Sequence, residues 1–406
     1  MAARAAGCRR DRAVVLAAAL VLASCATPPP PPPPPVAVVV PPPPAPPPRQ
    51  APLATHRFEI LPTDDVVGQV QLVITGKQDT LPDIARRFNV GYEEIVRANP
   101  GVDPWVPGEG REIVVPTRFV LPVAPREGVV INIAAMRLFY FVPPPKPAKG
   151  KAKAPAKASG AAAAPALAAI DEPPKPQVVI THPIGIGKVG WSTPEGRTRI
   201  TGRQKDPVWV PPLSVRKEHL ENGERLPTVV PPGPDNPLGR FKFTLGWPSY
   251  LIHGTNKPYG VGLRSSHGCI RLYPEDIQAL FDLIPVGTSV QVVNQPYVMG
   301  WQDGTLQLQA VAVLEDDRRD WRKGRHALLQ KTLTARIQQQ LKAGGHSVDW
   351  EAAAQRADAA HGVPVPVWTE ANGEVPAAPL ARALRVQNRI PTGANWDGSD
   401  DPSVAP

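Results

Sequence analysis

Fifty-five of the 406 residues are proline, so about one backbone position in seven has no amide hydrogen to donate. A chain so interrupted cannot form an all-helical bundle, nor a single uniform globule over its whole length. The prolines are concentrated. Between Pro28 and Pro48, 15 of 21 residues are proline, and they are broken only at 36–40 and at Ala45. That run favours a polyproline II rod, roughly 65 Å long if fully extended. A ligand for a proline-binding module is the alternative use of such a run. The length suggests two domains, and a hydrophobic share of 42% supplies one or two modest cores, not three. The net charge of +9 suits an anionic partner: an acidic wall polymer, anionic lipid or nucleic acid.

The N-terminal segment reads as an address. Arg4, Arg9, Arg10 and Arg12 precede a 12-residue apolar stretch from Ala13 to Ser24. A bilayer span needs about 20 apolar residues, whereas a secretory signal needs fewer. The stretch closes on Leu22-Ala23-Ser24-Cys25, which resembles a bacterial lipobox. The resemblance implies cleavage after residue 24 and a diacylglycerol on Cys25. It implies a lipid-anchored, periplasm-facing protein of the cell envelope, and Ala26 in place of Asp directs it to the outer membrane. Several acyl chains hold a membrane where one would not. The alternative is an ordinary signal with a chance cysteine. Residues 25–55 are then a tether.

Residues 56–121 form a small unit. Val70 to Ile74 is strand-like, Gly76 punctuates it, and Leu81, Ile84, Ala85 and Phe88 follow helical spacing behind the capping candidates Asp79 and Thr80. A short helix around Tyr92–Ala98 and a strand over Glu112–Val115 complete a βααβ pattern. The residues Gly76, Asp79-Thr80-Leu81, Ile84-Ala85, Phe88-Asn89-Val90, Asn99-Pro100 and Ile113-Val114-Val115-Pro116 resemble the lysin motif, LysM. That resemblance implies binding of N-acetylglucosamine-containing glycan such as peptidoglycan, although Gly110-Arg111 stands where the family has Gly-Gln. A spacer that binds nothing is the alternative.

From residue 127 to 295 the pattern is mainly β. Val129 to Phe141 reads as two strands around a turn, and short apolar runs follow at 178–180, 208–210, 241–245, 251–252 and 289–293. Pro274 to Leu283 is the one clear helix. These features predict a sandwich or partly closed barrel with a short helix. The low-complexity stretch 143–176 carries five lysines without a nearby acid and reads as an insertion that cannot pack. Beyond it, residues 296–390 are expected to be a helical extension. Leu329, Leu333, Ile337 and Leu341 at steps of four predict a helix over 321–343, and a second is expected over 349–360. The tail 391–406 is expected to be disordered.

The chemistry is concentrated in Ile252-His253-Gly254-Thr255-Asn256 and Arg264-Ser265-Ser266-His267-Gly268-Cys269-Ile270-Arg271. Cys8, Cys25 and Cys269 are the only cysteines, and no CxxC occurs, so a disulfide framework and a dithiol centre are excluded. A thiol is nearly neutral at pH 7 and needs a base or a positive charge to attack a carbonyl. A hairpin-like return would bring Cys269 opposite His253. An extended segment would place His267 on the same side as the thiol. Gly268 would let the backbone approach substrate, with the Gly268 and Cys269 amides free for an oxyanion. A zinc site on His253, His267 and Cys269 is a competing reading, though it lacks an HExxH or a second cysteine. A non-catalytic wall-binding lipoprotein is another.

These residues resemble the L,D-transpeptidase, or YkuD-domain, family, whose motif is a histidine, a gap, then Ser/Thr-His-Gly-Cys. The likeness extends to 132–140, 183–196 and 233–239, where it points to the subgroup that links Braun-type lipoprotein to peptidoglycan. It implies that Cys269 attacks a peptidoglycan tetrapeptide stem, releases D-alanine and passes the acyl group to an amine. The acceptor would be another stem, a lipoprotein lysine or water. It implies His253 as general base, with its other ring nitrogen held by a carbonyl such as that of Gly254, and a thiol whose pKa is lowered by that histidine. His267 would orient or stabilise charge, and Ser266 would hold the loop. Arg264, Arg271, Thr255 and Asn256 would bind substrate, the arginines through stem carboxylates. No cofactor and no metal is expected, and nucleic acid is not among the expected partners.

Overall fold

Strand formation here follows from runs in which alternate residues face two different cores. The computed structural model describes residues 49–144, 176–302, 304–319, 328–369 and 379–400. The signal-like segment, Cys25, the proline run as far as Pro48 and residues 145–175 of the insertion lie outside the described residues.

In chain order the elements are β1 (Arg57–Ile60), β2 (Val66–Gly68), β3 (Gln71–Ile74), α1 (Leu81–Arg87), α2 (Tyr92–Ala98), β4 (Glu112–Val115) and β5 (Arg118–Val120). There follow β6 (Gly128–Asn132), β7 (Arg137–Phe141), β8 (Gln177–Pro183), β9 (Ile186–Gly187), β10 (Gly196–Lys205), α3 (Leu213–Glu221), β11 (Phe241–Leu245) and β12 (Leu251–His253). Then come β13 (Arg264–Ser266), β14 (Ile270–Arg271), α4 (Pro274–Leu283), β15 (Ser289–Val293), β16 (Tyr297–Gln302), β17 (Thr305–Ala310), α5 (Ala335–Gly344) and α6 (Trp350–Ala359).

Nine strands form one mixed sheet in the order β1-β8-β7-β6-β15-β10-β11-β12-β14. The β6–β7 hairpin explains why 129–141 is apolar almost throughout. Val129, Ile131, Leu138 and Tyr140 face a core shared with β11 and with Ile277, Leu280 and Ile284 at α4. Val130, Phe139 and Phe141 face a second core, built with Leu81, Ile84 and Phe88 around α1, Ile95 of α2 and Ile113 of β4. A sheet covered on both faces loses the apolar–polar alternation of a half-exposed one.

The predicted βααβ unit is present as β3–α1–α2–β4, with β3 and β4 antiparallel. Thr80, not Asp79, caps α1: its hydroxyl accepts from the Asp83 amide at 3.3 Å, and Asp83 returns a bond from the Thr80 amide at 3.2 Å. Asp79 instead pairs with the buried Arg87 at 2.7 Å. The boundaries differ from expectation. Residues 57–60 belong to the edge of the large sheet, where Arg57 pairs with Ile180, and residues from Pro48 onward pack as one unit. The module is also fastened to the sheet by Arg137, whose Nε and Nη2 donate to Glu94 at 2.7 Å each, with both side chains buried. Replacing Arg137 by methionine strands the Glu94 charge, so unfolding should become easier by about 3–5 kcal/mol in a denaturant titration.

Three expectations for the C-terminal region are corrected. The 296–390 extension is not simply helical: β16 and β17 form a hairpin, Val365–Pro366 adds to it, and α5 and α6 pack over a third core there. Gly300 lies within the first of these strands, where a side chain would collide with Asp65 and Val120 at 2.7 Å. The helix expected over 321–343 is interrupted; Thr334 caps a new start, its hydroxyl accepting from the Ile337 amide at 3.3 Å. Nor is the tail disordered as far as residue 400. The Arg86 guanidinium lies 4.3 Å from the Trp396 ring and 2.8 Å from Asp400, and Asn395 donates to Asp276 at 3.0 Å.

Candidate active site

The two halves of the motif meet on neighbouring strands. Strand β12 runs antiparallel to β11 and parallel to β14, with Ile252 opposite Ile270 and His253 opposite Arg271. The return is therefore a crossover, not the expected hairpin. His253 is buried, and its Nδ1 donates to the Gly254 carbonyl at 2.6 Å. A carbonyl can only accept, so Nδ1 carries the proton and Nε2 keeps its lone pair. Burial, and next the charge of Arg271, push the imidazole pKa down to about 3 against the pull of the Gly254 and Leu238 carbonyls. Burial also pushes the Cys269 thiol up, opposed by the Leu251 backbone and by Arg271. The expectation that His253 lowers the thiol pKa is thus corrected: the lowering influences are the Leu251 backbone and Arg271. The resting pair is a neutral thiol and a neutral imidazole, because burial disfavours both charged forms.

This assignment has a consequence for folding. The unfolded chain takes up the His253 proton near pH 6.5, the folded protein only near pH 3. Acid therefore favours unfolding between those values, and from pH 7 to about 4.5 this residue alone removes about 2–3 kcal/mol. Urea titrations at the two pH values should register the loss, and His253→Gln should shrink it by that amount.

The turn carrying the thiol is tightly specified. Gly268 has φ of +99°, and a Cβ there would lie 2.9 Å from Tyr250. Ser266 Oγ donates to the Cys269 carbonyl at 2.5 Å and accepts from the Gly268 amide at 3.2 Å. The Gly268 amide is therefore engaged, which corrects the expectation of two free amides; that of Cys269 is the remaining donor at this turn. Thr193 ties the turn down, donating to the Gly268 carbonyl at 2.9 Å and accepting from the Gly187 amide at 3.2 Å. Cys269 Sγ lies 3.7 Å from the Ser249 carbonyl.

The thiol opens into a cleft of about 590 Å³ that His253, His267 and Arg271 also line, with Trp191, Trp209 and Tyr250 as aromatic walls. Residues 208–210 are its rim rather than a core strand: only Trp209 bridges, to Val230, and Val208 and Val210 are exposed. Helix α3 covers the cleft. Its Glu218 accepts from His267 Nε2 at 3.1 Å and pairs with Lys188. The His267 ring lies edge-on to Trp191 at 4.8 Å between centroids, and although Gly268 breaks the extended run between them, His267 and Cys269 line the same cleft. Glu218→Gln should loosen this cover and speed alkylation of Cys269 by a bulky maleimide several-fold, with little change toward iodoacetamide.

Not every expected substrate contact lies here. Arg271 does, with Nη1 donating to Ser265 Oγ at 3.2 Å and a buried Nε that has no partner. Arg264 pairs with Asp316 at 2.7 Å and lines a neighbouring cleft with Ser192 and Thr193. The Thr255 hydroxyl accepts from the Lys257 amide at 3.0 Å in a local turn, and Asn256 is exposed beside it. Neither lines the thiol's cleft. The competing zinc set is not assembled: among the described residues no group of three or more His, Cys, Asp or Glu is placed to hold a metal ion. Trp191, Thr193, Glu218 and Tyr250 are not site residues in the sequence reading; Trp191 and Thr193 lie in the 183–196 stretch of the family likeness, whereas nothing marked Glu218 or Tyr250.

Comparison with known proteins bears on the family. A family model described as the L,D-transpeptidase catalytic domain, YkuD, matches residues 173–292. Over 271 residues the chain is 36% identical to the probable L,D-transpeptidase ErfK/SrfK of Salmonella typhimurium, spanning 66% of this chain and 77% of that protein. It is 38% identical over 241 residues to the probable L,D-transpeptidase YbiS of Escherichia coli K12, spanning 58% and 68%. A solved catalytic domain of an E. faecium L,D-transpeptidase matches over 42% of this chain and 100% of its own length, at 16% identity and a TM-score of 0.25.

Proposed function

The chain belongs to the L,D-transpeptidase family, and from that premise we propose that it transfers the acyl group of a peptidoglycan tetrapeptide stem through a thioester on Cys269. The observation that carries this reading is His253, its Nδ1 fixed on the Gly254 carbonyl, in one cleft with the single thiol of the described residues. As Sγ attacks the carbonyl that precedes the terminal D-alanine, its proton passes to His253 Nε2. The tetrahedral oxyanion takes a bond from the Cys269 amide, and Arg271 supplies positive charge. Collapse breaks the peptide bond, the imidazolium returns its proton to the leaving amine, and D-alanine departs. An acceptor amine then attacks the thioester, loses its proton to His253 and frees the thiol.

Arg271 is the stem-carboxylate ligand in this reading, because it lies in the thiol's cleft while Arg264 is committed to Asp316. The acceptor is an amine of a second stem or a lysine of an envelope lipoprotein. Intact-mass analysis with defined tetrapeptide muropeptides, with and without each acceptor, decides: a thioester adduct that resolves onto one amine supports the reading, and no adduct with any tetrapeptide overturns it.

The β3–α1–α2–β4 module serves as a LysM-type glycan-binding unit in the same reading. The exposed Trp105 beside Tyr92, with ring centroids 6.3 Å apart, offers a stacking surface for a sugar ring. The lipobox-like Leu22–Cys25 and the proline tether would hold the enzyme off the outer membrane, facing the wall. Cys25→Ser should abolish incorporation of labelled palmitate and release the protein from the membrane fraction; unchanged labelling would reject the anchor.

A further inference from the structure

The segment that carries the nucleophile is clasped at both ends by the small βααβ module. Upstream of Cys269, the Val261 and Gly262 carbonyls accept from the Tyr92 and Glu93 amides at 3.2 Å each. Those amides belong to the first turn of α2, where a helix has no internal acceptors for its donors. Water or a capping side chain ordinarily serves there; here the catalytic segment does. The backbones touch to make this possible. A Cβ on Gly91 would lie 2.9 Å from the Gly262 Cα, and one on Gly262 would lie 2.2 Å from the Tyr92 nitrogen. Downstream, the Tyr273 hydroxyl donates to the Val90 carbonyl at 3.1 Å, Arg86 grips Glu275 at 2.9 and 3.1 Å, and Asn89 donates to Asp276 at 2.9 and 2.7 Å. Residues 86–93 thus hold positions 261–262 and 273–276, and Ser266, His267, Cys269 and Arg271 lie between the two holds.

We propose that Gly91 and Gly262 are positioning residues for the transfer reaction: their contact makes the βααβ module part of the frame that presents the Cys269 turn, so that module and nucleophile move as one body. Apart from this clasp, the segment is held by Thr193 and by backbone bonds from residues 184–188. Strand β13 pairs only with the two-residue β9, and β14 pairs with β12 over two residues. A displacement at residue 262 would pass through β13 to Ser266, whose hydroxyl sets the Gly268–Cys269 turn. The functional consequence rests on the transpeptidase reading: a glycan strand bound to the module would bring its stems to the thiol in a fixed register.

Gly91→Ala is the sharp test, because Gly91 has an ordinary negative φ of −88° and the new methyl's tightest contact is this one, ahead of the Pro183 side chain and Glu94. Two readouts are taken on the full chain at a temperature well below its melting point: Cys269 alkylation by iodoacetamide across pH, and single-turnover acylation by a tetrapeptide. A misplaced turn should change the alkylation rate several-fold and slow acylation about tenfold or more, with KM nearly unchanged. Ile113→Val, a core change in the same module away from the clasp, should lower the melting temperature and leave both rates alone. If Gly91→Ala lowers only the melting temperature, the module is a structural neighbour and the proposal fails. Should Gly91→Ala not fold, Arg86→Gln opens the downstream clasp instead, and unaltered alkylation and acylation in that variant overturn the proposal equally. Alkylation needs no stem peptide, so a wild type inert toward tetrapeptide would sink the transpeptidase reading while the alkylation arm still tests the clasp.

Discussion

Replacing Cys269 by serine leaves the protein folded and removes thioester formation, lowering transfer by at least about 10⁴-fold. The substitution changes little volume at a half-buried site and keeps a hydrogen-bond donor for the Ser249 carbonyl at 3.7 Å. It fails chemically because an alcohol holds its proton far more tightly than a thiol does. The base offered is also feeble: an imidazole pressed to about pKa 3 by burial and Arg271 can deprotonate an attacking thiol in concert with bond formation but cannot do the same for a hydroxyl. Intact-mass analysis after incubation with tetrapeptide should show no adduct, while circular dichroism and the melting temperature match the wild type. A serine variant that still exchanges its terminal D-alanine would refute the cysteine mechanism.

His253→Ala is expected to slow acylation by about 10²–10⁴-fold. The structure separates this from an effect on resting thiol acidity. Since His253 is uncharged near neutrality, its removal withdraws no positive charge, and the pH profile of Cys269 alkylation should move little. Arg271 is the cation that lowers the thiol pKa, so Arg271→Ala should shift that profile upward. His267→Ala breaks the bond to Glu218 at 3.1 Å and should loosen the α3 cover while leaving the profile in place. If His253→Ala moves the profile upward by more than Arg271→Ala does, the resting site is an ion pair and the neutral assignment is wrong.

The motif was readable because nucleophilic catalysis by a thiol needs a base, a glycine turn and a hydroxyl at fixed spacing, and few sequences supply all of them by chance. Strands β6, β7, β11 and β15 and helix α4 were readable because each commits an apolar pattern to a core. Helix α3 was not. Only Val215 of its nine residues is buried, so it lacks the stripe that marks a helix; it covers a cleft instead of a core. The crossover between β12 and β14 was hidden for another reason. The loop between them detours to the start of α2, and no local pattern around residues 254–266 reports a partner more than 150 residues earlier in the chain. The 391–400 tail misled in the same way, since polarity reads as absence of structure until the neighbour that needs it is known.

The pairing of Leu384–Arg385 with β3 also bears on when the chain can finish folding. The Leu384 amide donates to the Val70 carbonyl at 3.0 Å and the Gln50 amide to the Arg385 carbonyl at 3.0 Å, joining the earliest described residues to nearly the last. A ribosome releases the first partner long before the second exists, and closing so large a loop delays the step further. The nascent chain therefore stays incompletely closed until synthesis is almost finished. Through that interval the outer edge of β3 stands without its partner, and the last locking of the fold belongs to the finished chain.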